Sequence, residues 1–437
     1  MRIKKEVFIK RREKLFQQMQ PNSTAILCAA KECIRNPEIN YRYRQDSDFY
    51  YLTGFKEPEA VAVFIKGEST EEFILFNREN DPEKEQWVGP RAGQEGAIRE
   101  FGADQSYPIS ELDARMIEIL RGEDYLYYAY GRYPWFDREV NRWLNRIRSE
   151  IRTGVNVVNT IINIEDILHE MRMIKSDEEV AILKKAANIS ASAHYHAIKT
   201  CSPNRYEYQL EGELLHQYYQ QGAREVAFGS IVAGGAHACT LHYEANDSLL
   251  KDGDLVLIDA GCEYEYYASD ITRTFPVNGH FSKEQAEIYN LVLKAQIAAI
   301  ELVKPGICWS KLQEKAVKII TEGLCELGIL SGNVDELIES RAYARFYMHR
   351  IGHWLGIDAH DVGKYKIGDQ WRILQPGMIF TVEPGIYIKT ESEAVDKKWW
   401  NIGVRIEDDI LVTKDGFEVL TSNVPKTVEE IEKLMQH

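Results

Sequence analysis

Four carboxylates and one histidine, spread from position 259 to position 407, constrain this chain more than any other feature. Asp259 ends the apolar run Leu255-Val256-Leu257-Ile258, and Asp270 lies in Ser269-Asp270-Ile271-Thr272-Arg273-Thr274-Phe275. His353 sits in Gly352-His353-Trp354-Leu355-Gly356, Glu383 in Thr381-Val382-Glu383-Pro384-Gly385, and Glu407 in Val404-Arg405-Ile406-Glu407-Asp408. A fold that gathers these motifs concentrates negative charge, and clustered carboxylates repel one another and take up protons unless something offsets them. Carboxylate oxygens and an imidazole nitrogen, with no thiolate among them, suit hard or borderline divalent cations. Two dications supply four positive charges, and such a pair generates a nucleophile from water at neutral pH. The set therefore points to hydrolysis.

Taken singly, each residue has a plainer explanation: a strand-end turn, a Glu-Pro-Gly turn, an acidic cluster with Asp408 and Asp409, or a half-buried histidine. The combination is more specific, and local spacing supports convergence. Asp259 and Asp270 flank a segment that a strand, turn and return strand would fold back, bringing the carboxylates side by side. Arg405 and Glu407 alternate with Val404 and Ile406, so a strand through them turns both charged groups to one face. His349 and His353 share a face if helical, but Gly352 is equally compatible with a loop.

A chain of 437 residues exceeds one ordinary core, so two domains are expected. No apolar run is long enough to span a bilayer. The first twelve residues carry scattered charges and read as an amphipathic surface helix rather than a secretory signal. Seven cysteines, widely spaced and without a Cys-x-x-Cys pair, fit reduced thiols in the cytoplasm. A net charge of −15 argues against nucleic acid as a partner.

Short branched and aromatic runs at 24–28, 60–65, 72–76 and 125–130 read as strands, with a helical stretch at 109–120 between them. This predicts an α/β domain over 1–174, without a phosphate-binding glycine loop. Ser176-Asp177-Glu178-Glu179 is a capping box that opens a helix with an apolar stripe at Val180, Leu183, Ala187 and Ala191. The second domain, 175–437, runs through helices at 189–199, 205–221, 283–303 and 309–327. Strands follow at 255–259, 269–276, 378–382 and 403–411, a segregation that predicts an α+β domain with a mostly antiparallel sheet.

The five motifs, in their order and context, resemble those of the metallopeptidases with the pita-bread (creatinase/aminopeptidase) fold, and most closely the Xaa-Pro aminopeptidases, or aminopeptidase P. Met348-His349-Arg350-Ile351-Gly352-His353 adds to the likeness. So does the amino-terminal stretch Tyr43-Arg44-Gln45-Asp46-Ser47-Asp48-Phe49-Tyr50-Tyr51-Leu52-Thr53-Gly54-Phe55, which resembles the amino-terminal domain of that family. The resemblance implies release of the first residue from peptides with proline in second position, by attack of a hydroxide bridging two metals, most readily Mn2+. It implies metal ligation by Asp259, Asp270, His353, Glu383 and Glu407, with Asp270 and Glu407 bridging and Glu383 also carrying the proton. His242 and His360 would act on the substrate carbonyl and the intermediate, and His349 would line the pocket for the proline ring. Arg405 would orient Glu407 or meet a substrate carboxylate. Trp87 would close the pocket of a neighbouring subunit in a homo-oligomer, a dimer or tetramer. The remaining histidines match no functional position. Proline suits such a pocket because its amide nitrogen carries no hydrogen, so selection must rest on ring shape.

The nearest alternative is an Xaa-Pro dipeptidase (prolidase) with the same ligands, disfavoured by the amino-terminal motif. Methionine aminopeptidases usually lack an amino-terminal domain of this size. A non-catalytic binding protein on the same fold, or creatinase-like metal-free hydrolysis, would be expected to have lost ligands, and all five positions are filled.

Overall fold

A computed structural model describes residues 3–436, which divide into two compact units meeting at Met171 and Arg172. The first is built on a six-stranded sheet. Its strands run in the order Gln105–Pro108, Glu71–Asn77, Val61–Lys66, Ser23–Cys28, Tyr125–Tyr127 and Thr160–Ile162. The two ladders that join the strands 23–28, 61–66 and 71–77 are antiparallel, and the three outer pairings are parallel. Every residue of Ser23–Cys28 is buried, which requires cover on both faces. The unit is α/β, as expected. The last expected strand stops at Tyr127, because the Ala129–Arg132 turn redirects the chain into the helix Pro134–Arg148.

The opening helix, Lys5–Gln18, is amphipathic, with Glu6, Lys10, Glu13, Lys14, Gln17 and Gln18 exposed, but its inner face carries two arginines. Phe8, Arg11, Arg12, Leu15 and Phe16 are all buried. Arg11 donates to the carbonyl of Tyr51, and Arg12 to those of Leu52, Phe101 and Gly102. Two arginines that look like solvent-facing charge thus satisfy the carbonyl ends of other elements. Burial pulls the Arg12 guanidinium down to about 10, against the pull of Asp104 and Glu13.

The second unit opens on the helix Asp177–Thr200, whose capping box is formed: Ser176 accepts from the Glu179 amide while the Glu179 side chain accepts from the Ser176 amide. Glu207–Gln220, Lys283–Ile300 and Ser310–Glu326 are its other long helices. One three-stranded sheet joins Ile231–Gly234, Leu255–Asp259 and Thr272–Pro276; another joins Ile379–Val382, Asp408–Val412 and Phe417–Val419. A two-stranded ribbon pairs Gly385–Ile388 with Ile402–Arg405. Among the described residues every pairing in this unit is antiparallel. One large apolar core, with Val256, Ile258, Phe275, Trp354, Phe380, Val404 and Ile410 fully buried, unites sheets and helices.

The single strand expected over 403–411 is instead two. Gly403 and Val404 pair in the ribbon, Asp408 to Leu411 pair with Ile379–Val382, and the chain steps from one sheet to the other at Ile406 and Glu407. Period-two alternation survives this step, which is why the sequence pattern does not reveal it.

Candidate metal centre

Asp259 lies at the end of its strand, directly opposite Thr272 in the antiparallel ladder, and Asp270 precedes that partner by two residues. The intervening residues form a separate small hairpin. Gly261 permits the crossing: a Cβ there would stand 1.7 Å from the Ser269 carbonyl oxygen. Glu407 joins from the step between sheets, its amide donating to the Thr272 carbonyl at 3.1 Å. The Thr272 hydroxyl donates to Glu407 Oε2 at 2.6 Å and accepts from Arg405 Nε at 3.1 Å. One threonine thus sets Arg405 and Glu407 on the same face, as their alternation predicts.

His353 arrives on a loop, not a helix. Its neighbour Gly352 passes so close to the strand carrying Thr381 that a Cβ would lie 1.8 Å from that carbonyl. His353 Nδ1 donates to the Trp354 carbonyl at 3.1 Å, which assigns the ring proton and leaves the Nε2 lone pair directed at the carboxylates. Nε2 stands 3.4 Å from Asp270 Oδ2 and 3.6 Å from Glu383 Oε1, too far and too evenly shared for a single hydrogen bond. Ligand atoms of Asp270, His353 and Glu407 all lie within 4.8 Å of one another.

Electrostatics make this cluster expensive as it stands. Burial, then repulsion from Glu407 and Asp259, holds the Asp270 carboxyl well above the usual carboxylate range, and burial with Glu383 and Asp259 does the same to Glu407. Glu383 is pushed up to about 8 by burial, although Arg405 opposes the shift. His353 falls to about 4, through burial and then the neighbouring His360. Oδ1 of Asp259 and Oδ1 of Asp270 are buried without a hydrogen-bond donor. Orphaned buried carboxylate oxygens beside an imidazole lone pair fit a divalent cation, which would satisfy all of them together.

Behind the carboxylates runs a chain of polar groups. Arg405 Nη2 donates to Asp259 Oδ2 at 2.6 Å and Nη1 to the Tyr387 hydroxyl at 2.9 Å. Tyr387 meets His349 Nε2 at 2.8 Å, and His349 Nδ1 meets the Arg350 carbonyl at 2.8 Å. With Nδ1–H on that carbonyl, Nε2 accepts the Tyr387 proton, so His349 is neutral, in line with a shift down to about 4 caused by burial and then Arg405. Arg405 thus has Nε, Nη1 and Nη2 engaged inside the protein, and Tyr387 and Thr272 hold the site together without having been singled out in the sequence. No short-range pattern marks them, because their partners are remote in the chain.

His360 is exposed with its ring centroid 4.2 Å from that of His353, and His242, also exposed, bears electrostatically on His349. Trp87 belongs to the other unit, on the helix Pro82–Val88, where it is 87% exposed. A second group with ligand chemistry, Asp48, Glu165 and His169, already holds a cation: Arg132 bonds Asp48 at 2.8 Å and Glu165 at 2.9 Å. His194 is buried with Nε2 on the Ala260 carbonyl, a core role.

Comparison with known proteins agrees with this geometry. Residues 181–414 match metallopeptidase family M24, and residues 8–127 match the aminopeptidase P amino-terminal domain. The chain is 46% identical to the Xaa-Pro aminopeptidase of Escherichia coli (strain K12), over 99% of this chain and 98% of that protein. It is 34% identical to the mitochondrial intermediate cleaving peptidase 55 of Arabidopsis thaliana, over 100% and 84%. Its structure superposes on the aminopeptidase PepP of Pseudomonas aeruginosa with a TM-score of 0.98 at 54% identity, covering 99% and 98% of the two chains. The E. coli aminopeptidase P, solved zinc-substituted with product and also with the inhibitor Pro-Leu, gives 0.97 at 46% identity, over 100% and 99%. These likenesses extend over both units.

Proposed function

The chain belongs to metallopeptidase family M24 and, within it, to the Xaa-Pro aminopeptidases, and from that premise we propose which of its residues perform the cleavage. The fold is the two-domain aminopeptidase P architecture with a pita-bread second domain. The activity is removal of the first residue from peptides whose second residue is proline, at a divalent-metal site.

Asp259, Asp270, His353, Glu383 and Glu407 would hold the metal, two ions per chain and manganese by preference. The observation that carries this is the His353 ring, tied at Nδ1 and open at Nε2 toward Asp270 and Glu383. When bound, such ions supply Lewis acidity toward the scissile carbonyl and activate water at neutral pH.

Glu383 then has the proton work. Held as the ionised carboxylate beside the ions, Glu383 would take a proton from the attacking water and deliver it to the departing proline nitrogen, which has none of its own. His242 and His360, both exposed, are free to bond the substrate carbonyl as charge develops on its oxygen. His349, neutral and fixed by Tyr387, offers an uncharged ring edge to the proline ring. For Arg405, three internal partners favour orienting Asp259 over meeting a substrate carboxylate. The exposure of Trp87 supports a homo-oligomer in which a second copy covers it. Seven unpaired cysteines support a cytoplasmic location, and among the described residues no helix is long and apolar enough to cross a membrane.

The test is product analysis on matched Xaa-Pro, Xaa-Pro-Yaa and Xaa-Ala-Yaa peptides with defined metals. Xaa-Pro-Yaa should be cut at least as well as Xaa-Pro, an acetylated amino terminus should block cleavage, and alanine should remove most of the rate. Cleavage confined to dipeptides would make the enzyme a prolidase instead.

A further inference from the structure

We propose that Lys175 and Arg172, at the start of the second unit, are positioning residues for His360, acting through the buried carboxylate of Asp361. Lys175 Nζ bonds Asp361 Oδ2 at 3.0 Å, and Arg172 Nη2 bonds Asp361 Oδ1 at 2.5 Å and Asp358 Oδ2 at 2.8 Å. The side chains of Asp361, Lys175 and Arg172 are each 1% exposed. Burial alone would raise the Asp361 carboxyl, yet Lys175 and then Arg172 hold it below its usual value. Its ionised form is the one in place.

This clamp grips the chain at the residue after His360. Among the described residues no hydrogen bond is made to the His360 ring, so its position follows from its backbone. That backbone is tied at Asp361, whose amide donates to the Trp354 carbonyl at 2.9 Å. The same carbonyl accepts His353 Nδ1 at 3.1 Å. One oxygen thus serves both His353 and the end of the loop, and the loop closes tightly: a Cβ at Gly356 would lie 2.1 Å from Asp361 Oδ2. Buried ion pairs are weak sources of stability, because desolvation offsets most of the attraction, but they are directional. An apolar contact would let this loop slide; three charged hydrogen bonds hold its register, and with it the distance between His353 and His360.

The proposal rests on His360 acting in the reaction, so His360→Ala is measured alongside. In the metal-loaded enzyme with an Xaa-Pro-Yaa peptide, Lys175→Met should lower kcat about tenfold to a hundredfold, the scale of a misplaced group, with little change in KM. Metal content should stay at the wild-type level, and Lys175→Arg should recover most of the rate. In a His360→Ala background, Lys175→Met should change kcat less than about twofold, since coupled residues are not additive. An equal loss in both backgrounds, a fall in metal content, or an unchanged kcat would overturn the clamp. Wild-type kcat in His360→Ala would instead overturn the reading of His360 on which it stands. If Lys175→Met does not fold, Asp361→Asn, which keeps size and shape, takes the same comparison.

Discussion

Asp270 is the carboxylate with most at stake: it is buried, it faces His353 at 3.4 Å, and Glu407 and Asp259 repel its charge. Asp270→Ala should therefore abolish activity and, by plasma mass spectrometry of the dialysed protein, cost both ions rather than one. In the proposed mechanism Glu383 combines metal contact with proton transfer, and an amide keeps its size but cannot take the proton. Glu383→Gln should lower kcat roughly a hundredfold or more, the usual scale for lost proton transfer. A turnover near that of the wild type would show that the proton travels elsewhere.

Elements matter here through how closely they approach. The His353 loop meets the strand Ile379–Val382 with no room for a methyl group at Gly352. Gly352→Ala should destabilise the fold by about 1–3 kcal/mol, the range for overpacking, and weaken metal binding because the loop carries His353 and the strand leads directly into Glu383, both proposed ligands. A contrasting element is the helix Lys283–Ile300, whose Ser282 capping box lies at an exposed helix start. Ser282→Ala should cost about 1 kcal/mol of stability while leaving kcat unchanged. Denaturant titration and steady-state kinetics separate the two cases. The buried arginines of the helix Lys5–Gln18 and the strand step at Glu407 belong to this scale too, since both follow from packing partners that no local pattern contains.

At the scale of the whole molecule, the metal centre links stability to pH. In metal-free protein the carboxyls of Asp270, Glu407 and Glu383 are raised, so between the ordinary carboxylate range and about 8 the folded state binds more protons than the unfolded state. Stability then falls as pH rises. His349 and His353, lowered to about 4, act in the opposite sense, but only up to their ordinary value near 6.5. From pH 6.5 to 8 the raised carboxyls, joined by Glu123 at about 7 and by buried Asp409, prevail, and the melting temperature of the metal-free chain should drop. With excess manganese the charges of the proposed ligands are compensated and the drop should become markedly smaller. A metal-free melting curve independent of pH in this window would mean that the carboxylates are not packed together as described.

Several things were legible in the sequence alone: the two fold classes, the antiparallel character of the second unit, the Ser176 cap, and the metallopeptidase family to which the short motifs point. Each of these depends on residues within a few positions of one another, where period, turn chemistry and donor type leave a local trace. Tertiary structure decided the rest. It turned Arg11 and Arg12 inward, split one apparent strand between two sheets, and gave Thr272 and Tyr387 their places between Arg405, Glu407 and His349. It also set Lys175 and Arg172 against Asp361, nearly two hundred residues further along. A hydrogen bond across such a separation is specified by the path of the whole chain, and a buried charge reads in sequence like an exposed one until its partner is known.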